Sequence, residues 1–244
     1  MKRIAVTGAG GFVGSALTAA LRRSGYHVVA LGRHPERFDF PNDVERRFFD
    51  ADGRPDKNAF EGADAVIHLA GESVAGRWTD AKKRAIFDSR VLGTRNAIAS
   101  CALCEKQPST FICASATGFY GSREDEPLDE NSSNGSDFLA GVCAAWEREA
   151  RGATAIGMRS VQVRTGVALG HGGALEPMAR PFRYGLGGPF GSGRQFLPWI
   201  HLDDLVRLYL FVLERDEIEG AINAVTPDYA PSARFSQALG AALQ

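Results

Sequence analysis

The chain has 244 residues, 44% of them hydrophobic, with 28 lysines and arginines against 29 aspartates and glutamates and a formal net charge of −1. That length allows one large domain or one and a half, with a core that needs no disulfide or metal to hold it. The balanced charge gives no electrostatic case for nucleic acid or an anionic membrane as a partner, and no apolar run approaches the roughly 18 residues of a membrane-spanning helix.

The first predicted element is a short buried strand, Ile4-Ala5-Val6, followed by Thr7-Gly8-Ala9-Gly10-Gly11-Phe12-Val13-Gly14 and then by apolar residues at helical spacing (Val13, Leu17, Ala20, Leu21). Strand, glycine turn and helix in one such span form the opening of a dinucleotide-binding unit. Gly8 lets the chain turn sharply, Gly11 lets backbone approach a pyrophosphate, and Gly14 lets the helix press on the strand. The unpaired N–H groups and positive dipole end of the helix then hold the phosphates. The spacing is G-x-x-G-x-x-G, and the whole segment from Gly8 to Gly14, including Ala9, Gly10, Phe12 and Val13, is the expected cofactor turn. Because the strand begins at once, no leader peptide is expected, and the chain reads as cytoplasmic.

Tyr26 to Leu31 reads as a second strand. An NAD-preferring fold places an acid at its end for the ribose 2′-hydroxyl; this chain has Gly32-Arg33-His34-Pro35-Glu36-Arg37. Arg33 suits a 2′-phosphate, so NADP(H) is expected over NAD(H). Arg46 to Asp50 reads as a third strand ending in an acid that could meet the cofactor. Ala65 to Gly71 is the fourth, with a small-residue exit, Leu69-Ala70-Gly71, where a flat ligand can lie on backbone. His68 inside it reads as a packed core histidine. A long helix is predicted from Thr79 to about Ser100. Arg90 within it needs an acceptor, which a cofactor phosphate or ribose edge would supply, or else a carboxylate. Cys101 and Cys104 end that helix as reduced thiols, with no second pair or histidine to complete a metal set.

Thr110 to Ser115 is strand five, and Ser122 to Ser136 a polar loop. Asp137 to about Ala150 is helical, and Ser160 to Arg164 is strand six. Strands alternating with helices predict an α/β fold, a doubly wound parallel Rossmann sheet. From Thr165 glycines and prolines crowd the chain, which reads as loops with a short helix (Glu176 to Tyr184) over the ligand edge. Helices follow from about Asp203 to Arg215 and from Ala233 to Gln244. The division expected is residues 1–165 as an NADP-binding Rossmann domain and 166–244 as a smaller substrate lobe interleaved with it. The uncapped last helix suggests a further segment beyond Gln244.

In order along the chain, these segments resemble the extended short-chain dehydrogenase/reductases of the NAD-dependent epimerase/dehydratase family. The turn resembles that family's T-G-x-x-G-x-x-G. Val66-Ile67-His68-Leu69-Ala70-Gly71 is similar to its strand-four segment, Ala114-Ser115 through Phe119-Tyr120-Gly121 to its strand-five segment, and Trp199-Ile200-His201-Leu202-Asp203-Asp204 to its F-I-H-V-D-D signature. His68 to Ser73, Ser89-Arg90-Val91, Phe138-Leu139-Ala140…Trp146-Glu147 and Gly185 to Gly193 resemble a sugar-epimerase-like subgroup named "epimerase family protein". Cofactor contacts from the glycine turn, Arg33, Leu69, Ala70 and Arg90 are what this resemblance implies.

The resemblance also implies a Tyr-x-x-x-Lys pair, in which lysine lowers the tyrosine's pKa for proton transfer. Here the matching positions are Leu139 and Cys143, and none of the five tyrosines has a lysine four residues on. The remaining candidates for catalysis are Ser115, Tyr120, Cys143, which reads better as packing, and Glu72, which burial at the strand-four exit would turn into a base unless it is a structural carboxylate holding Arg90 or Arg77. Arg194 and Thr165 are candidates for substrate binding. Two functions are open: an NADP-dependent epimerase or oxidoreductase acting on an unidentified small molecule of the nucleotide-sugar kind, or a non-catalytic NADP-binding regulator of the cell-division-inhibitor type. By family analogy a homodimer through the two long helices is allowed.

Overall fold

The computed structural model describes residues 2–243. Seven strands form one parallel sheet: β1 (Arg3–Thr7), β2 (His27–Gly32), β3 (Glu45–Phe48), β4 (Ala65–His68), β5 (Thr110–Ala116), β6 (Arg159–Thr165) and β9 (Gly220–Ala224). Their order is β3-β2-β1-β4-β5-β6-β9. The chain winds outward from β1 through β2 to β3, then returns and winds the other way from β4. The direction therefore reverses between β1 and β4, where Val6 pairs with Ala30 on one side and Ile67 on the other. Ligands of doubly wound sheets bind in the crevice at such a reversal.

The central strands are apolar on both faces because both faces are covered. Ile4, Val6, Val28, Ala30, Ile67, Val161 and Val163 pack under α1 (Phe12–Arg23) and α6 (Leu202–Glu214), through Leu17, Leu21, Tyr209 and Leu213. The alternate residues Ala5, Val29, Leu31, Val66, Phe111 and Cys113 meet Phe60 of α2 (Lys57–Phe60), Ala97 and Cys101 of α3 (Asp80–Ala102), and Trp146 and Ala150 of α4 (Phe138–Arg151). Thr79 and Asp137 start the two long helices by accepting the N–H groups of Lys82 and Ala140.

The doubly wound α/β fold predicted from the alternation is the fold observed. Several boundaries shift. The third strand stops at Phe48, so Asp50 lies in the loop beyond it, and β4 stops at His68, leaving Leu69–Gly71 as an exit loop. The last helix is α7 (Ser232–Ala242), and its expected end at Gln244 lies outside the described residues. Two features had no counterpart in the sequence pattern. One is β9, which brings the segment after residue 166 back into the main sheet against β6, so the two expected parts are woven together. Its half-buried Gly-Ala-Ile-Asn-Ala run has too weak an apolar pattern to stand out. The other is a two-stranded parallel sheet of three-residue strands, β7 (Val167–Leu169) and β8 (Trp199–His201), which anchors the glycine-rich segment carrying α5 (Leu175–Arg183).

Candidate functional site

The glycine turn is held by sterics at each glycine. Gly8 has φ +67°, and a Cβ there would lie 2.9 Å from the Ala70 nitrogen, so the turn and the β4 exit touch through bare backbone. At Gly14 a Cβ would overlap the Gly8 carbonyl oxygen and sit 2.9 Å from the Ala9 Cα. Ala9 is fully buried, so it packs the turn from beneath. Gly11 is the N-cap of α1 and brings no side-chain cap, and the first turn carries no acid. Unlike α3 and α4, this helix therefore leaves its first N–H groups for a ligand. Phe12 points the other way: a Cβ on Gly173 would stand 2.5 Å from its ring, so the turn also supports the glycine-rich segment.

Above the turn lies a cleft of about 1080 Å³. Gly8, Gly10, Gly11 and Ser15 form its floor, and Leu69, Ala70, Gly71 and Glu72 form the β4 side. Arg33, His34, Arg37, Phe38 and Phe40 flank it beyond β2, with Asp50 to Asp52 beyond β3. Ala81, Arg84, Asp88 and Ser89 of α3 close the far wall. Arg33 is exposed and has no carboxylate partner among the described residues, whereas His34 and Arg37 lie 3.3 and 3.7 Å from Glu36. The Asp50 loop is pinned by Asn96, whose Nδ2 donates to the Asp50 carbonyl at 2.8 Å. Ser15, Phe38, Arg84 and Asp88 were not singled out by the sequence. For Phe38 a signal existed, an aromatic residue stranded in the polar Arg-His-Pro-Glu-Arg-Phe-Asp loop. Its ring lies over Gly10 and Gly32, so that a Cβ on either would come within 2.8 Å of it.

The β4 exit is fastened from below. Thr7 Oγ1 accepts the N–H groups of Leu69 (3.1 Å) and Ala70 (3.3 Å) and therefore gives its own proton to His68 Nδ1, 2.9 Å away. His68 is fully buried, stacked on Phe111, and burial holds its pKa down at about 4. It is the packed core histidine expected.

Over β4–β6 the proposed catalytic residues are in different company from that expected. Glu72 was expected either as a base whose pKa burial would raise or as a structural carboxylate holding Arg90 or Arg77. It is instead half-exposed, and the ammonium of Lys82, 2.6 Å from Oε1, holds its carboxyl below the usual range. Ser115 donates to Glu147 Oε1 at 2.7 Å. Glu147 is fully buried and grips Arg164 with both oxygens, at 2.8 and 2.9 Å. Tyr120 accepts from Arg164 Nη1 at 3.0 Å and donates to Asn223 at 2.7 Å. Leu139 and Cys143 stand beside Gly118: a Cβ there would lie 3.7 Å from Leu139 Cβ and 3.9 Å from Cys143 Sγ. Burial pushes the Cys143 thiol up to about 11. Arg90 reaches between α3 and α4. Its Nη1 donates to the carbonyls of Glu72 (2.8 Å) and Ile86 (3.3 Å), and its guanidinium lies 5.2 Å from the Trp146 ring centre.

The two substrate candidates are not among the lining residues of the cleft. Thr165, at the end of β6, donates to the Val163 carbonyl, and Arg194 is exposed in the loop before β8. Among the described residues no group of histidines, cysteines and acids is placed to hold a metal, and no helix is long and apolar enough to cross a membrane.

The sequence model of the NAD dependent epimerase/dehydratase family matches residues 4–224. Epimerase family protein Mb2239 of Mycobacterium bovis is 38% identical over 242 residues, 98% of this chain and 78% of that protein. The crystal structure of human epimerase family protein SDR39U1 with NADPH superposes with a TM-score of 0.83 at 32% identity, covering 99% of this chain and 80% of the human one. The nucleoside-diphosphate sugar epimerase from Corynebacterium glutamicum gives a TM-score of 0.83 at 39% identity, covering 98% of this chain and 49% of the other.

Proposed function

The chain belongs to the NAD dependent epimerase/dehydratase family, and on that premise we propose that it is an NADP(H)-binding protein whose cofactor lies across the cleft between the glycine turn and α3. What carries this reading is the pairing of an uncapped helix start behind bare glycine backbone with the exposed, unpaired Arg33 guanidinium at the end of β2. The first suits a pyrophosphate and the second a 2′-phosphate. The NADPH in the human relative's structure supports the choice. A dinucleotide fits: the floor would be crowded by any side chain at Gly10, and Asp50 and Ser15 offer polar contacts along the wall. NADPH, when bound, supplies a hydride. Gly8, Gly11 and the α1 start hold its phosphates, and Arg33 its 2′-phosphate. Leu69, Ala70 and Gly71 give it a flat backbone bed that Thr7 keeps in place.

The test is a titration of the purified protein with NADPH and NADH by intrinsic fluorescence quenching. NADPH should bind tighter, and Arg33→Ala should erase the difference, since losing one charged contact costs about 1.5–3 kcal/mol. Equal affinity for the two cofactors in the unaltered protein would overturn the assignment.

For the reaction, a nucleotide-sugar substrate is the reading the relatives favour. A second reading, a cofactor-bound regulator without turnover, is favoured by a separate observation. Leu139 and Cys143 stand where the resemblance puts the tyrosine and lysine, while Ser115, Tyr120 and Glu72 each hold a structural partner. Following NADPH absorbance over a panel of keto-sugars, nucleotide-linked and free, for net reduction, together with chromatography of the sugars for redox-neutral epimerisation, separates the two.

A further inference from the structure

Two glycines at the β2 end of the cleft are kept bare by one side chain. Gly32 closes β2 on the face it shares with Val28 and Ala30, and Gly10 lies in the cofactor turn. Neither has a positive φ, so neither backbone requires glycine. A Cβ on Gly32 would lie 2.7 Å from Cζ of Phe38, and one on Gly10 would lie 2.8 Å from its Cε1. At both positions the three nearest atoms all belong to that ring. The ring is held where it is. It packs against the core cluster under α1 and meets Phe40 edge-on, with 5.6 Å between ring centres. The turn before it is closed by its own N–H, which donates to the Pro35 carbonyl at 3.2 Å. A side chain at Gly32 or Gly10 could displace the ring only by unpacking it.

Position 32 is where a dinucleotide fold chooses between the two cofactors. An NAD(H) site places a carboxylate at the end of the second strand, to accept the ribose 2′-hydroxyl. Here the first carbon of any such side chain would overlap the Phe38 ring. The ring itself lines the cleft beside Arg33 and brings no polar atom to it. Asp39, the next residue, lines the cleft as well, but it is exposed, where a hydrogen bond from a hydroxyl competes with water.

We propose that Phe38 is a second determinant of cofactor choice: its ring fills the space that a carboxylate at position 32 needs. The strand end therefore takes NADP(H) through Arg33 and has no room for the acid that would hold NAD(H). The inference rests on the NADP(H) reading above, and adds that the choice is made by exclusion as well as by charge. It also makes the preference a property of two residues together, so that changing Gly32 or Phe38 alone does not reverse it.

The experiment measures dissociation constants for NADPH, NADH and 2′,5′-ADP in the unaltered protein, Gly32→Asp, Phe38→Ala and the double variant, all with Arg33 in place. Melting temperatures are taken for Gly32→Ala, Phe38→Leu and their combination. Gly32→Asp alone should melt lower and gain no NADH affinity. In Gly32→Asp/Phe38→Ala, NADH should bind about tenfold more tightly than in the unaltered protein. NADPH should bind that variant more weakly, since the new carboxylate faces its 2′-phosphate. Phe38→Ala alone should not tighten NADH by this factor, which assigns the gain to the pair. Gly32→Ala should lower the melting temperature in the unaltered background and change it little in Phe38→Leu, because leucine lacks the Cζ that the new methyl would meet. That cycle decides the matter if the aspartate variants do not fold. A tenfold NADH gain in Gly32→Asp alone overturns the inference, as does a folded double variant with no gain, and as do additive losses in the melting cycle. Failure of the unaltered protein to bind NADPH and 2′,5′-ADP overturns the cofactor assignment itself.

Discussion

The hydroxyl of Thr7 lies 2.9 Å from Nδ1 of His68 in the fully buried centre of the sheet, and the same oxygen accepts the two N–H groups that open the β4 exit loop. The loop under the proposed cofactor is therefore set by one threonine, whose orientation is set by one neutral imidazole.

This pairing makes stability sensitive to acid in a defined window. Burial lowers the folded-state pKa of His68 to about 4, against an ordinary value of 6.5. Above pH 6.5 the imidazole is neutral in both states and contributes no pH dependence. As pH falls from 6.5 to about 4 the unfolded chain takes up a proton that the folded chain refuses, and stability falls by about 3 kcal/mol before levelling off. Urea unfolding of the unaltered protein and of His68→Asn at pH 7.5, 6 and 4.5 measures this. The unaltered protein should lose more stability over that range than the variant, and parallel losses would refute the assignment.

Glu147 and Ser115 separate by magnitude. Glu147→Gln leaves the Arg164 guanidinium buried without a counter-charge, which costs about 3–5 kcal/mol. Ser115→Ala removes one hydrogen bond to a carboxylate that keeps its other partners, a loss of about 1.5–3 kcal/mol. Thermal denaturation should rank the two in that order. If Ser115→Ala also abolishes turnover on a substrate found by screening, while its NADPH affinity stays intact, then Ser115 acts in catalysis as well.

For Gly14→Ala the expected result is loss of both ligand and fold stability. The new methyl would overlap the Gly8 carbonyl oxygen, forcing α1 off the turn whose N–H groups face the cleft. Overpacking of this kind costs about 1–3 kcal/mol. NADPH titration together with a melting curve reads both effects. Gly25→Ala is the control, because that glycine has a positive φ with nothing around it and should lose stability alone.

Thiol chemistry discriminates packing from catalysis at Cys143. Burial raises all four cysteines, Cys104 and Cys143 to about 11 and Cys101 and Cys113 further. At pH 8 a thiol near 11 is roughly 0.1% thiolate, so an aromatic disulfide reagent should find no fast-reacting group until denaturant is added. A rapid first equivalent that NADPH protects would instead mark Cys143 as a reactive group in the cleft.

The parts of the site that the sequence disclosed are those where backbone alone decides. Gly8, Gly11 and Gly14 answer to local sterics within seven residues, so their spacing reads directly, as does Arg33 at a strand end. The parts it withheld depend on partners distant in the chain. Lys82 returns from the third helix to neutralise Glu72, and Glu147 reaches back 32 residues to take the Ser115 hydroxyl. No local pattern distinguishes a carboxylate awaiting a proton from one already spoken for. The edge strand β9 was withheld for another reason: a half-buried, glycine-started strand needs little apolar content.

The 23 residues of α3 make a rod about 35 Å long. Ala81, Arg84 and Asp88 near its start face the cleft, and Arg90 in its middle meets Gly71 and Trp146. Further on, Gly93 rests on Ala51, Asn96 grips the Asp50 carbonyl, and Ser100 accepts the N–H of Asp56. Both sides of the cleft are thus gauged by one stiff ruler. A substitution at Asn96 or Gly93, made to alter the Asp50 side of the cleft, shifts the rod's seating and so displaces Arg90 from Gly71 and Trp146. The two sides of the cleft are therefore coupled mechanically through α3, and altering the seating at one will move the other.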